Sequence, residues 1–364
     1  MRLSQVVRPG PGQFLCEPGA LKYLDQKVAS FTHPVIITGE KSYEAFQKYY
    51  TGSLNLPVYR YDGTASHEDM ERLSSLVEGT DCIVGIGGGR VLDTAKGTAE
   101  LLQVEYVTIP TVLGTCAAYT PLSAVYHPDH TFKVVDYYEK AALLCLMDLD
   151  LLVESPKKYF MGGIGDTLAK WYEAEGITRH VDGQLPAMVK VGLQTAKVTQ
   201  QILLEDSKDA LDSMDRRVVS PAFQRVAEAV VAIAGTVGGF AGEYGRMAGA
   251  HAVHNGMSLV PETHPFEHGV KVAYGVLVQL WASGDEEEVH RLLPFFEENQ
   301  FPHRLEDFGV KENKREKAEK IAAFAASDSE TFKLAVPEVT ARNVYDAMNA
   351  VESLSGKNAV GIQG

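Results

Sequence analysis

The sequence predicts an α/β N-terminal part built on a parallel sheet, followed by an all-α C-terminal part. Apolar runs of strand length alternate with helical patterns of about 10–15 residues up to about residue 150. Three consecutive glycines, residues 87–89, separate one such strand from the helix after it. Beyond residue 155 the strand-like runs cease and long helical patterns follow. We therefore expect right-handed βαβ units first and helices alone afterwards.

The strand and helix patterns of the first part follow one another in chain order. After a helical piece near residues 20–28, the patterns predict strands at residues 35–39, 57–61, 82–86 and 106–111, and helices at residues 42–50, 67–77 and 91–102. A short hairpin and a further strand are expected between residues 116 and 147. Parallel sheets bind ligands at the carboxyl ends of their strands, so Gly39, the glycine run and Thr111 are expected at one edge.

Helical patterns fill the rest of the chain. They cover residues 157–179, 187–204, 220–255, 269–283, 312–327 and 339–354. We place the domain boundary between residues 153 and 154, which gives an α/β domain over residues 1–153 and a helical domain over residues 154–364, with Pro156 as a candidate first helical residue. The charge runs at residues 285–288 and 311–320 are typical of solvated helix faces.

Composition limits the class of partner. The chain has 364 residues, enough for two domains, and a net charge of −14, which argues against nucleic acid or an anionic membrane surface. It has no run of about 18 apolar residues, and residues 1–7 lack the apolar core of a signal peptide. The four cysteines are scattered and are expected as thiols in a reducing cytosol. We expect a cytoplasmic protein that acts on a small molecule.

The glycine run lies between a strand and a helix, as in phosphate-binding turns. Glycines let a ligand approach the backbone, and the unpaired N–H groups of a helix start favour an anion. The strict G-x-G-x-x-G pattern is not met, because Gly89 is followed by Arg90. The glycine run is therefore equally consistent with a tight turn that binds no ligand.

Histidines are concentrated between residues 251 and 268. His251 and His254 lie three residues apart on one face of a helix that Gly256 is expected to end, and His264 and His268 follow. A single histidine on an apolar helix is usually a core residue, but this density predicts a metal or catalytic site with an open position. Asp166 is the candidate carboxylate; placed among glycines at an expected helix start, it is equally a helix cap.

Several motifs together resemble the iron-containing alcohol dehydrogenase superfamily, and their order and spacing match along nearly the whole chain. They are Gly87-Gly88-Gly89-x-x-x-Asp93-Thr94-Ala95-Lys96, Ile109-Pro110-Thr111, Gly163-Ile164-Gly165-Asp166, His251-Ala252-Val253-His254-Asn255-Gly256 and His268-Gly269. The resemblance is strongest to its glycerol dehydrogenase branch and to the hydroxycarboxylate dehydrogenase A group. It implies an N-terminal dinucleotide-binding domain, a helical second domain and a metal between them.

The resemblance assigns the metal ligands and the cofactor contacts. Asp166, His254 and His268 would bind the metal, with His264 as a substitute for His268. Lys170 stands where many iron-type members have a further histidine, which favours zinc over iron. The contacts to NAD or NADP would come from the glycine turn and the loop beyond the next strand. They are Gly88, Gly89, Arg90, Asp93, Thr111, Thr115, Thr120, Leu122 and Tyr126.

Two positions depart from the glycerol dehydrogenase pattern. Gly39, followed by Glu40 and Lys41, replaces the aspartate that usually binds the adenosine ribose. Lys41 could attract a 2′-phosphate and Glu40 could instead take the ribose hydroxyl; we expect NADP(H) to be accepted. Cys116 replaces the aspartate that binds a glycerol hydroxyl. A buried carboxylate repels an acid and a neutral thiol does not, so we expect small 2-oxo and 2-hydroxy acids as substrates.

Other assignments stay open in the sequence. Lys170 is either a partner for a substrate carboxylate or a surface lysine, and His251 is either a proton relay in the cleft or a packed helix residue. The leading function is a metal-dependent NAD(P) oxidoreductase, and the runner-up is an NAD-dependent glycerol or polyol dehydrogenase. The sequence lacks the basic phosphate-binding cluster of the dehydroquinate synthases, which argues against a lyase of that kind. The complete set of three metal-binding residues argues against a non-catalytic binding protein. Family members often assemble, so a homo-oligomer is expected.

Overall fold

The computed structural model describes residues 6–354, so most of the segment behind the signal-peptide expectation lies outside the described residues. The described part forms two compact units. The first takes the residues up to Phe160 together with Asp209–Gly239, and the second takes Met161–Lys208 and the residues from Phe240 onward. The domain boundary between residues 153 and 154 stays a prediction.

The first unit contains a six-stranded parallel sheet, which confirms the predicted α/β class. Its strands lie in the order β1-β8-β5-β4-β2-β3 and every neighbouring pair is parallel. The strands are β1 Gln13–Glu17, β2 Pro34–Thr38, β3 Val58–Arg60, β4 Cys82–Gly87, β5 Glu105–Pro110 and β8 Leu144–Asp148. The expected hairpin is the antiparallel pair β6 Leu122–Tyr126 and β7 Phe132–Tyr137.

Helices connect the strands of this unit or, in the case of the last helix, follow the final strand. They are α1 Leu24–Val28, α2 Glu40–Tyr49, α3 His67–Leu76, α4 Gly89–Leu102 and α5 Leu149–Val153. Buried side chains of β2, β4 and β5, among them Val35, Ile83 and Tyr106, form a core with Leu73 of α3 and Ala95 of α4. Buried side chains of α3 and α4 therefore hold both helices against the sheet.

The remaining elements described are helical, as predicted. They are α6 Lys157–Thr178, α7 Ala187–Arg216, α8 Pro221–Glu228, α9 Ala234–Ala241, α10 Gly249–Met257, α11 His268–Ala282, α12 Glu286–Glu298, α13 Lys314–Ala325, α14 Phe332–Ala335 and α15 Ala341–Ser353. The charge run at residues 285–288 caps and begins α12, and that at residues 311–320 enters α13. Helix α7 is longer than predicted.

Three helix predictions are wrong. The single helix over residues 220–255 is divided into α8, a π-helical turn, α9 and α10, and Gly242 at φ 57° follows the end of α9 as a left-handed glycine does. Gly256 does not end its helix; it lies inside α10, where a Cβ would be 2.7 Å from the carbonyl oxygen of Ile321. Asp166 is in the middle of α6 and is therefore not a helix cap.

The segment Pro221–Gly245 is long and apolar enough to meet a length-and-composition test for a membrane span. Of its most apolar window, 61% is buried within the protein, as is typical of a core helix. Single helices of this kind are common in proteins that never enter a membrane.

Candidate active site

The glycine run forms a turn at the carboxyl edge of the sheet. Strand β4 ends at Gly87, Gly88 is the N-cap of α4, and α4 begins at Gly89. The backbone N–H of Thr111, directly after β5, donates to the carbonyl of Gly87 at 3.1 Å, and Gly39 directly follows β2. These residues share one edge, as expected. The N-terminus of α4 thus faces the part of a parallel sheet where ligands bind.

A buried ion pair under α4 holds the loop that follows β5. Lys96 Nζ lies 2.8 Å from Asp93 Oδ1, and the Lys96 side chain is completely buried. The same ammonium donates to the carbonyls of Ala117 at 2.8 Å and Thr120 at 3.2 Å, and also to that of Leu122. Lys96 therefore anchors the loop that carries Thr115, Cys116 and Thr120, a role that its place in the sequence motif does not indicate.

Asp93 itself lies deeper than a ligand contact requires. It is 6% exposed, and its Oδ2 accepts from the backbone N–H of Ala124 at 3.3 Å. Burial raises the pKa of Asp93, and the charge of Lys96 opposes that shift. Its predicted cofactor contact stays a prediction, whereas its pairing with Lys96 is present in the structure.

The ends of β2 and β3 carry an exposed ion pair. Thr38 and Arg60 are register partners, and Arg60 Nε donates to Glu40 Oε1 at 2.9 Å. The Arg60 guanidinium also lies over the ring of Tyr43, 4.6 Å from its centre. A Cβ at Gly39 would lie 3.0 Å from the Tyr61 ring, so the neighbouring aromatic ring explains why glycine fits here. Sequence reasoning missed Arg60 because its partners are distant in the chain.

Other predicted cofactor residues flank the glycine turn. The guanidinium of Arg90, the second residue of α4, lies over the Tyr126 ring at 4.8 Å, and its Nη1 is 3.3 Å from His130 Nδ1. Thr115 is exposed, and its Oγ1 would be 3.3 Å from a Cβ at Gly89. Leu122, whose carbonyl takes the Lys96 ammonium, begins β6.

The second unit brings a carboxylate and imidazoles together. Asp166, His251 and His268 each offer a ligand atom, and these atoms lie within 4.8 Å of one another. Asp166 Oδ1 is 3.2 Å from His251 Nε2 and 3.4 Å from His268 Nε2. A carboxylate with imidazoles fits the donor chemistry of a divalent transition metal.

His254 lies beside this cluster. Its Nε2 is 3.1 Å from His268 Nδ1, while its Nδ1 is 3.0 Å from the side-chain oxygen of Asn255. The predicted ligand set has His254 where the geometric cluster has His251, so that assignment stays a prediction. His264 is exposed and directs Nε2 to the carbonyl of Ser258 at 2.9 Å.

Charge separates the roles of the two α10 histidines. Burial and the positive charges of His268 and Lys271 lower the pKa of His254 well below its usual value. Burial acts in the same direction on His251, but the carboxylates of Glu173 and Asp166 outweigh it and raise the pKa of His251 to about 9. These shifts in pKa favour the neutral imidazole of His254, which is the form that binds a metal, and the protonated form of His251 beside its two carboxylates.

Asp166 stays ionised although it is buried. Burial alone would raise the pKa of its carboxyl, but the charge of Lys170 and hydrogen bonds from His251 and His268 hold the pKa well below its usual range. Lys170 lies one helical turn beyond Asp166 and is half-buried. Its charge therefore acts on the cluster, whether or not it also meets a substrate.

Glycines allow the helices of this cluster to touch. A Cβ at Gly269 would be 1.8 Å from the carbonyl oxygen of Gly162, and a Cβ at Gly165 would be 2.3 Å from that of Gly269. Helix α6, which carries Asp166, therefore meets α11, which begins at His268, backbone to backbone. The glycines beside Asp166 serve this approach.

Comparisons with known proteins agree with the fold and the motifs. A sequence profile described as iron-containing alcohol dehydrogenase matches residues 11–148. Hydroxycarboxylate dehydrogenase A of Escherichia coli (strain K12) is 32% identical over 351 residues, covering 94% of this chain and 96% of that protein. A glycerol dehydrogenase of Thermotoga maritima is 32% identical over 358 residues, covering 94% and 95%.

A solved structure gives the same result. The crystal structure of a probable glycerol dehydrogenase from Sinorhizobium meliloti 1021 superposes with a TM-score of 0.82 at 25% identity, covering 94% of this chain and 97% of that one. The similarity extends through both units, well beyond the N-terminal part that the profile matches. The chain is a dehydrogenase that belongs to the iron-containing alcohol dehydrogenase family.

Proposed function

We propose that the protein is a metal-dependent NAD(P) oxidoreductase that transfers a hydride between the nicotinamide and a small 2-oxo or 2-hydroxy acid. The observation that carries this proposal is the cluster of buried Asp166 with histidines of α10 and α11, in a chain that has a glycine turn at the edge of its parallel sheet. Membership of the iron-containing alcohol dehydrogenase family supports the interpretation that the cluster binds a metal and the glycine turn binds a dinucleotide in one hydride-transfer reaction.

The metal is proposed to be held by Asp166, His254 and His268, with zinc favoured and iron as the alternative. One carboxylate and two imidazoles leave a coordination position for a substrate oxygen. When bound, the metal acts as a Lewis acid that stabilises negative charge on that oxygen. His251, with its ring nitrogens facing two carboxylates, is better suited to hold Asp166 by hydrogen bonding. His251 remains the alternative to His254 as the metal ligand from α10.

The cofactor is proposed to bind at the carboxyl edge of the sheet, with its diphosphate at the N-terminus of α4. The backbone at Gly88 and Gly89 supplies N–H donors, and the loop held by Lys96 supplies the predicted contacts of Thr115 and Thr120. These groups bind and orient the dinucleotide so that hydride transfer has a fixed direction.

NADP(H) is proposed to be accepted at the ends of β2 and β3. With Gly39 in place of an aspartate, the carboxylate that follows in the chain is that of Glu40, and it already pairs with Arg60. Their side chains are 74% and 34% exposed, so the ion pair is worth only about 0–1 kcal/mol. Arg60 can therefore turn to a 2′-phosphate at little cost, with exposed Lys41 adding positive charge.

The substrate class rests on residue 116 and on the named relatives. Cys116 is a half-buried thiol, which neither repels an acid as a carboxylate would nor accepts a polyol hydroxyl as strongly. One relative in the comparison is named hydroxycarboxylate dehydrogenase A. Lys170, whose charge already acts on Asp166, is the candidate partner for a substrate carboxylate.

Glycerol or polyol oxidation with NAD is the second candidate. A glycerol dehydrogenase is as similar in sequence as the hydroxycarboxylate enzyme, and a probable glycerol dehydrogenase superposes over 94% of the chain. The two candidates share the fold, the metal and the cofactor. They differ in the substrate pocket, which must accept a negatively charged carboxylate in the first case and neutral hydroxyl groups in the second.

A paired assay on the zinc-loaded and zinc-free enzyme separates the two. One arm follows NADPH and NADH oxidation with 2-oxobutanoate and 2-oxoglutarate, and the other follows NAD reduction with glycerol. We expect strong reduction of the acids and weak oxidation of glycerol, and we expect Cys116→Asp to reverse that preference. Strong glycerol oxidation by the unmodified enzyme would refute the argument from residue 116. A homo-oligomer in the cytoplasm is proposed on family grounds, with light scattering as the test of assembly.

A further inference from the structure

Glu173 is a buried glutamate on α6 that the proposed reaction does not use. Its side chain is completely buried, and its Oε1 accepts the backbone N–H groups of Ala248 at 2.7 Å and His251 at 3.0 Å. Ala248 is the N-cap of α10, and His251 lies in its first turn. The negative charge of Glu173 thus lies at the positive end of the helix that carries His251 and His254.

The second oxygen of Glu173 reaches the His251 ring. Oε2 lies 2.8 Å from His251 Nδ1, and the other ring nitrogen, Nε2, lies 3.2 Å from Asp166 Oδ1. An ionised carboxylate only accepts hydrogen bonds, so Nδ1 carries the proton it donates to Glu173. One residue therefore fixes both the start of α10 and the direction of a ring that touches Asp166.

Gln279 of α11 completes this arrangement from the other side. Its Oε1 accepts the N–H of Ala250 at 3.0 Å, and its Nε2 donates to the carbonyl of Tyr172 at 2.9 Å. Gln279 is 1% exposed. Together, Glu173 and Gln279 satisfy N–H groups in the first turn of α10 and tie α6, α10 and α11 to one another. These three helices carry Asp166, the α10 histidines and His268.

We propose that Glu173 is a positioning residue for the metal site: it seats the first turn of α10 and turns the His251 ring so that an Nε2–H group donates to Asp166. In this arrangement His251 holds the Asp166 carboxylate in place, and His254 remains the ligand that α10 contributes. The inference rests on the proposed metal site and adds to it a residue that has no contact with substrate or cofactor.

Glu173→Gln discriminates between the two possible roles of His251. A glutamine keeps an oxygen for the backbone N–H groups but places an NH₂ group against His251 Nδ1, which must then accept. His251 then loses its Nδ1 proton and keeps the proton on Nε2, which faces Asp166. If His251 is a hydrogen-bond donor, this tautomer preserves its function. If His251 is a metal ligand through Nε2, this tautomer blocks it.

The experiment measures zinc affinity of the full-length protein by chelator competition, and the absorption spectrum of the cobalt-substituted protein as a report on the ligand set. Glu173→Gln is expected to bind zinc within about threefold of the unmodified protein, with an unchanged cobalt spectrum. Glu173→Ala is expected to bind zinc about 10–100-fold more weakly, as is typical when an outer-shell partner is lost. Glu175→Ala is the matched control, since Glu175 lies on the same helix and pairs with Arg179 at the surface.

The outcomes separate this inference from the function it rests on. An unmodified protein that binds no zinc would overturn the proposed metal site itself. Tight zinc binding that Glu173→Ala leaves unchanged would overturn the positioning role alone. A loss of more than 100-fold in Glu173→Gln would show that His251 is a ligand and would overturn the role given to it here. Because Glu173→Gln keeps the cap of α10, it tests the inference even if Glu173→Ala does not fold.

Discussion

The closest backbone approach beside the metal cluster predicts that Gly269→Ala strongly weakens metal binding. Gly269 is the second residue of α11, directly after His268. A Cβ there would lie 1.8 Å from the carbonyl oxygen of Gly162 and 2.8 Å from the backbone nitrogen of Asp166. Both contacts are to backbone atoms of α6, so no side-chain rotation can relieve them. The two helices must move apart.

The size of that movement follows from the contact distances. A real Cβ essentially never lies closer than 3.0 Å to another heavy atom, so the Cβ and the Gly162 oxygen must separate by at least about 1.2 Å. Ligand distances in metal sites are set to within about 0.2 Å. The overpacking costs about 1–3 kcal/mol of folding free energy, against about 1 kcal/mol gained in helix propensity. We expect a protein that still folds and binds zinc at least about 100-fold more weakly.

Zinc affinity and urea unfolding measured on the same samples test this reasoning. Gly162→Ala is the matched control, because a Cβ at Gly162 meets only the side chain of Glu267, at 3.2 Å. That variant adds a methyl group to the same helix crossing and is expected to retain zinc. Wild-type zinc affinity in Gly269→Ala would refute the argument, since it would mean that the Asp166–His268 geometry tolerates separation of the helices.

Three further predictions concern charge. Arg60→Gln is expected to raise the KM for NADPH about tenfold and leave that for NADH within about twofold, because it removes a phosphate partner; steady-state kinetics decide this, and an equal change for both cofactors contradicts it. Lys170→Ala is expected to raise KM for 2-oxo acids, and an unchanged KM would remove Lys170 from the pocket. In the zinc-free protein, Glu173 and Asp166 raise the pKa of His251 to about 9 against burial, so the stability this gives is complete below about pH 6.5 and is lost as pH rises through 9. Urea unfolding of His251→Gln should show a smaller decline over that window, and a profile identical to that of the unmodified protein would contradict the pairing.

The fold was predictable because its signals are local. Alternating apolar runs and helical patterns identified the parallel sheet, and the three glycines after β4 marked the turn into α4. The single helix predicted over residues 220–255 failed for the opposite reason. Its apolar periodicity is continuous, but a left-handed Gly242 divides it, and the direction of φ at a glycine is not encoded by hydrophobic pattern.

The sequence indicated the candidate metal-binding residues more readily than the residues that hold them in place. Asp166 and His268 were predicted as metal ligands with His254, whereas His251 was left as a proton relay or a packed residue; the structure groups Asp166, His251 and His268 in the second unit. Glu173 and Arg60 were given no role, because each acts through partners far away in the chain and neither carries a local signature. The glycines beside Asp166 were misread as marking a helix start, since helix-to-helix contact and a turn demand the same residue.

The buried ion pair of Asp93 and Lys96 either stabilises the fold or is retained because it fixes the loop that is proposed to bind the cofactor. Removing one partner, as in Lys96→Met, leaves a buried charge and is expected to cost about 3–5 kcal/mol of folding free energy, whereas Asp93→Leu with Lys96→Met replaces both charges by apolar groups and is often neutral or stabilising. The double variant still lacks the ammonium that holds the carbonyls of Ala117, Thr120 and Leu122. We therefore expect it to regain stability relative to Lys96→Met, less the cost of the backbone groups left unpaired, while its KM for the cofactor rises about tenfold or more. If stability and KM both return to their original values, the lysine serves folding alone; if only stability returns, it is retained because it fixes the loop that meets the dinucleotide.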